Sequence, residues 1–72
     1  MKKDLTNLEN EIYNFILSYW NKNGFSPSIT DISKACFISR TATHKYIFKL
    51  YEKNYISFVP KIARSITIKE QL

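Results

Sequence analysis

Residues 29–54 carry two helix-period patterns separated by a gap with room only for a tight turn. Ile29, Ile32 and Cys36 recur at helical spacing and are expected to face inward. Ser39 then offers a side-chain oxygen to cap a second helix beginning at Arg40. At 100° per residue, Thr43, Ile47, Leu50 and Asn54 gather within about one quadrant, with Tyr46 at its edge. Thr41, His44, Lys45, Phe48, Lys49 and Glu52 fall on the opposite side. A short helix, a turn and a longer helix with a polar outer row outline a helix-turn-helix. The second helix of that unit is the usual reader of the DNA major groove.

The flanking segments complete the unit. A first helix is predicted from Asn7 to Asn23, where Thr6 and Glu9 fit a capping box. Leu8, Ile12, Phe15, Ile16 and Tyr19 form one continuous apolar stripe along it. Gly24, the only glycine, stands where a left-handed residue after the helix is wanted. Pro27 disfavours helix at Ser26, which leaves Ser28 to cap a helix over 29–36, with Asp31 favourable in its first turn. The third helix is predicted from Arg40 to Asn54. Ile56, Phe58, Ile66 and Ile68 then alternate with Ser57, Ser65 and Thr67, the pattern of a half-buried hairpin over Tyr55–Val59 and Ser65–Ile68. Pro60 ends its first strand because it has no amide to donate. The fold class is mainly α with a small β-hairpin: one domain over residues 1–72, a three-helix winged helix-turn-helix with its wing at 55–69.

Composition narrows the function. Seventy-two residues with 44% apolar content and eleven aromatics suit one small core rather than disorder. One Cys forms no internal disulfide, and one His with one Cys cannot fill a tetrahedral zinc site. Cys36 is read as a small inward apolar group, with nothing to activate its thiolate. No apolar run approaches the roughly twenty residues of a membrane span. Lys2 and Lys3 resemble the start of a signal peptide, but Asp4, Asn7, Glu9 and Glu11 occupy the place of its apolar region. A reducing, cytoplasmic setting is expected. With no paired carboxylates, nucleophile–His–acid set, metal cluster or Gly-rich phosphate loop, the chain is not expected to be an enzyme. Neither a cofactor nor a small-molecule ligand is expected.

The net charge of +5 is unevenly spread. Residues 1–33 set three Lys against Asp4, Glu9, Glu11 and Asp31, a balance of −1. Residues 34–69 set Lys34, Arg40, Lys45, Lys49, Lys53, Lys61, Arg64 and Lys69 against Glu52 alone, a balance of +7. The positive field coincides with the helix-turn-helix and wing, as a phosphate-binding face requires.

Taken in order, these residues resemble the DNA-binding domain of the LexA repressor family. The resemblance is carried by Leu5-Thr6, Gly24-Phe25-Ser26-Pro27-Ser28 and Asp31-Ile32, then by His44 and Leu50. It continues through Lys53-Asn54-Tyr55-Ile56, Pro60 and Arg64-Ser65-Ile66-Thr67-Ile68, covering about residues 4–68. The spacing of Pro60, Arg64 and Ile66 after Ile56 is its most specific part. The resemblance implies a bacterial or phage transcriptional regulator, most simply a repressor, bound to double-stranded DNA. Three departures limit it. The turn from Phe37 to Arg40 is one residue shorter than the family's. Phe37 stands where such turns usually carry Gly, which predicts either strain or a differently built turn. The family's self-cleaving Ser-Lys peptidase domain, which supplies most dimer contacts, has no counterpart before Leu72, so autocleavage is not carried over. The operator is not carried over either, because the outward residues of the third helix differ.

Individual roles follow. Ser28 and Ser39 cap helices whose first amides can also hold a phosphate; plain capping fits equally well. Arg40, Thr41, His44 and Lys45 lie on the first turns of the third helix, the part that enters the groove. Arg or Lys can pair with guanine O6/N7, and the Thr41 methyl can meet a thymine methyl. His44 suits a base or phosphate contact, or simple solvation. Lys49 and Lys34 are phosphate contacts or solvated charges. Lys61 and Arg64 sit on the wing; for Arg64, at a family motif position, the resemblance implies a phosphate or minor-groove contact. Phe48, large and apolar on the polar side, leaves three roles open: packing under the wing, meeting a protein, or touching sugars. The alternative function is a winged-helix adaptor that binds another protein, such as a repressor or replication component. Because one small winged helix reads only a few base pairs, the chain is expected to be a monomer or weak homodimer that pairs cooperatively on DNA. Helix 1, the exposed aromatics, the tail after Ile68 or wing-to-wing contact are the available dimer surfaces.

Overall fold

Each of the three helices begins on the side chain that caps it. A computed structural model describes residues 4–69, with α1 at Asn7–Asn23, α2 at Ile29–Cys36, α3 at Arg40–Glu52, β1 at Ile56–Ser57 and β2 at Thr67–Ile68. The Glu9 amide donates to Thr6 Oγ1 and the Thr6 amide to Glu9 Oε1, closing the expected capping box on α1. Ser28 and Asp31 repeat this exchange at α2, at 3.1 and 3.0 Å. Ser39 Oγ accepts from the Ala42 amide to start α3. Gly24 ends α1 at φ 76°, and its amide closes on the Trp20 carbonyl.

The core lies where the three helices meet the hairpin. Ile12 and Ile16 of α1, Ile32 of α2, Ile47 and Leu50 of α3, Ile56 and Ile66 form one cluster, each at most 4% exposed. Each such side chain contributes about 1.5–3 kcal/mol relative to exposure. Leu8, Phe15, Ile29, Cys36, Tyr46, Phe58 and Ile68 pack partly buried around it. Thr43, fully buried among these residues, satisfies its hydroxyl by donating to the Ser39 carbonyl at 2.9 Å. Burial pushes the Cys36 thiol pKa up, away from an activated thiolate.

Two expectations are corrected. The third helix ends at Glu52, and Asn54 is an exposed turn residue rather than part of the inward row. Asn54 adopts φ 68°, a conformation Asn tolerates better than most residues, and the Tyr55 amide reaches back to the Leu50 carbonyl at 3.0 Å. The hairpin is also shorter than its alternation suggests. It pairs only Ile56 with Ile68 and Ser57 with Thr67, antiparallel. Beyond that, Ser65 Oγ accepts from the Val59 amide at 2.9 Å and donates to the Val59 carbonyl at 3.0 Å. A hydroxyl thus bridges the two arms where ladder bonds would be. Lys61 and Arg64, both at positive φ, turn the chain between them. The result is a three-helix winged helix-turn-helix. Lys2, Lys3 and the tail beyond Lys69 lie outside the described residues. No described helix is long and apolar enough to cross a membrane.

Candidate nucleic-acid interface

Helix α3 divides its residues as its periodicity requires. Thr43, Ile47 and Leu50 are fully buried, while Arg40, Thr41, His44, Lys45, Phe48 and Lys49 are exposed. Its first turn carries no acidic residue, so the partial positive charge of its free amides meets no carboxylate of the helix's own. The start of α2 differs. There Asp31 Oδ2 accepts from the Ser28 amide, and that bond heads the causes that hold the Asp31 carboxyl below the usual aspartate range. An anion already occupies the α2 terminus.

A cleft of about 460 Å³ runs between α3, the start of α2 and the wing. Ser28, Arg40, His44, Lys61 and Arg64 line it, together with Phe58 and Ile62. The structure therefore brings five of the nine predicted residues to one groove. Ser39, Thr41, Lys45 and Lys49 are not among its lining residues. Lys49 Nζ lies 5.8 Å from the centre of the Tyr46 ring.

Two cations counted in the positive half are paired with carboxylates of the domain itself. Lys53 Nζ lies 2.6 Å from Oε1 of Glu9, a residue 1% exposed, and also donates to the Asp4 carbonyl. Burial raises the Glu9 pKa, but the Lys53 hydrogen bond, the Thr6 amide and the nearby Lys charges outweigh it, leaving the carboxyl below its usual range. Arg64 donates through Nη1 to the Tyr19 hydroxyl at 3.1 Å, the Ser26 carbonyl at 3.0 Å and Asp31 Oδ2 at 3.1 Å. Sequence reasoning missed Tyr19, Ser26 and Trp20 as supports of the wing. Tyr19 was visible only as a member of the apolar stripe, and nothing local to these positions points at a partner about forty residues away. Phe48, half exposed, packs edge-on against Phe58 at 6.5 Å, with Tyr51 completing an aromatic trio at the wing's base. Of its three open roles, the structure shows packing under the wing. Phe37 adopts φ 57° and is 94% exposed, so the short turn keeps the left-handed residue that Gly usually supplies.

The comparisons agree with this architecture. The family model of the LexA DNA binding domain matches residues 2–65. The chain is similar to the LexA repressor of Thermosipho africanus, 41% identical over 66 residues, which are 92% of this chain and 33% of that protein. It is 46% identical to the LexA repressor of Petrotoga mobilis over 55 residues, 75% of this chain and 27% of that protein. The LexA repressor of Staphylococcus aureus is 34% identical over 67 residues, 92% of this chain and 32% of that protein. The chain thus spans about a third of the length of these relatives. With the three helices, the wing and the cleft between them all present, and the match running through nearly all of it, this chain belongs to the LexA DNA binding domain family.

Proposed function

We propose that this domain binds duplex DNA sequence-specifically and represses transcription by occupying its site. The observation that carries the proposal is the set of Arg40, Lys45, Lys49 and Lys61: all are exposed, and none has an ion pair among the described residues. They lie on the outer side of α3 and on the wing, where a duplex would meet them. In this reading α3 enters the major groove. Arg40, Thr41, His44 and Lys45 face base edges, and Ser39 with the free amides of α3 holds a phosphate. Lys49 and Lys61 contact the backbone. Ser28 is the weaker phosphate site because Asp31 already satisfies its helix end. Such a regulator works beside the chromosome, in the cytoplasm.

Selection from a random duplex pool, followed by titration of variants, tests the assignment. Arg40→Ala and Lys45→Ala should each lose about 1–3 kcal/mol of discrimination between the selected site and random DNA. Lys61→Ala should weaken both about equally. A reversed pattern would exchange reader and anchor, and recovery of no preferred sequence would defeat the reading. The aromatic trio of Phe48, Tyr51 and Phe58 favours a second reading, an adaptor that docks a protein there. Loss of DNA affinity in Phe48→Ala without loss of stability would place that residue at the DNA instead.

A further inference from the structure

Arg64 lies on the wing, yet its guanidinium turns toward the body of the domain. Its backbone is at φ 55°, a conformation that directs the chain at the wing's return toward β2. One nitrogen, Nη1, meets three acceptors on three segments: the Tyr19 hydroxyl of α1, the Ser26 carbonyl of the connection and the Asp31 carboxylate of α2. The guanidinium also lies 5.3 Å from the centre of the Phe25 ring, which itself stacks on Tyr19 at 5.6 Å. Two residues on, the Trp20 indole N–H donates to the Ile66 carbonyl at 3.2 Å. The wing's return arm is thus tied to the helices at two successive points.

A phosphate drawn to Arg64 would compete with Asp31 for the same cation while being repelled by it. Lys61, three residues earlier and on the other side of the turn, carries no such tie.

On the DNA-binding reading above, we infer that Arg64 is a positioning residue: it holds the wing, and with it Lys61, at a set distance from α3, and takes no phosphate itself. Asp31 and Tyr19 belong to the same device.

The sign of the Asp31 effect separates positioning from contact. Asp31→Asn keeps an oxygen to accept from the Ser28 amide but removes the charge facing Arg64. A phosphate-binding Arg64 would be freed, and binding would tighten. A positioning Arg64 would be loosened, and binding should weaken by about two- to tenfold, the difference between a charged and a neutral acceptor for the same guanidinium. Tyr19→Phe, which removes only a hydroxyl, should act in the same direction. In a double-mutant cycle, Lys61→Ala should cost much less in the Arg64→Ala background than in the wild type, a coupling that loss of fold stability alone does not produce. The single Trp reports on the wing without DNA. In the free protein, the Trp20 indole N–H should shift and exchange faster in Tyr19→Phe. Tighter binding by Asp31→Asn, additivity of Arg64 with Lys61, or an unmoved indole signal would each overturn the inference. If the wild type binds no duplex while the indole signal moves as expected, the DNA-binding reading fails and the wing anchor stands.

Discussion

Phe37 bears two costs with no return inside the domain. It holds a left-handed backbone that disfavours any residue with a Cβ, by about 1–2 kcal/mol, and it leaves a large apolar ring 94% exposed. Phe37→Gly should therefore stabilise the domain by about 1 kcal/mol, the relief of φ partly offset by a freer unfolded chain. Denaturant unfolding checks this; a loss of stability would mean that the ring packs against something in solution. Gly24 makes the converse case. A methyl added there would meet nothing within 4 Å, so space is no obstacle, but the backbone sits at φ 76°. Gly24→Ala should cost about 1 kcal/mol through backbone strain alone.

Between elements, the Glu9–Lys53 pair ties the first turn of α1 to the residue that follows α3. Glu9 is almost fully buried, so removing its partner leaves a carboxylate without compensation. Lys53→Met should destabilise by about 3 kcal/mol near neutral pH. The Glu9 and Asp31 carboxyls both sit below their ordinary values of 4.5 and 3.8. A depressed pKa contributes stability that is present above the unfolded value and lost as pH falls through the folded one. The wild type should therefore hold its stability above about pH 4.5 and lose it below. The gap between wild type and Lys53→Met should narrow as pH falls, because protonated Glu9 no longer needs a cation. Thermal melts from pH 7 to 3 read both effects, and a gap that widens toward acid would contradict the pairing.

Over the molecule as a whole, pairing redistributes the charge. With Lys53 and Arg64 matched to Glu9 and Asp31, the exposed cations of α3 and of the turn of the wing that carry no ion pair among the described residues are Arg40, Lys45, Lys49 and Lys61. About four phosphate contacts per domain predict a slope of log K against log salt of about −3.6, at −0.9 per contact. A slope near zero would exclude a duplex partner. A domain measuring 30 × 24 × 22 Å covers few base pairs, so specificity on a genome calls for two copies on a pseudo-palindrome. This domain alone should sediment as a monomer or weak dimer and bind a full site cooperatively. A tight dimer of the domain without DNA, or full affinity for one half-site, would contradict this.

The helices were legible in the residues because their signals are local. Thr6 with Glu9, Ser28 with Asp31, and Ser39 each act within one turn of chain, and the burial of Ile12, Ile16, Ile47 and Leu50 follows from a 3.6-residue period. The outward row of α3 was legible for the same reason. What lay beyond reach was every decision between segments distant in the chain. Lys53 and Arg64 read as two more cations of a DNA-facing half, since charge along a sequence does not reveal which carboxylate folding will bring to it. The length of the hairpin was hidden likewise, because its alternation continues past the point where the Ser65 hydroxyl replaces the ladder. Periodicity and capping belong to neighbours within a few residues; ion pairs and the cleft exist only once α1, α2 and the wing have packed, and that packing sorts the cations left without an ion pair from those matched to a carboxylate.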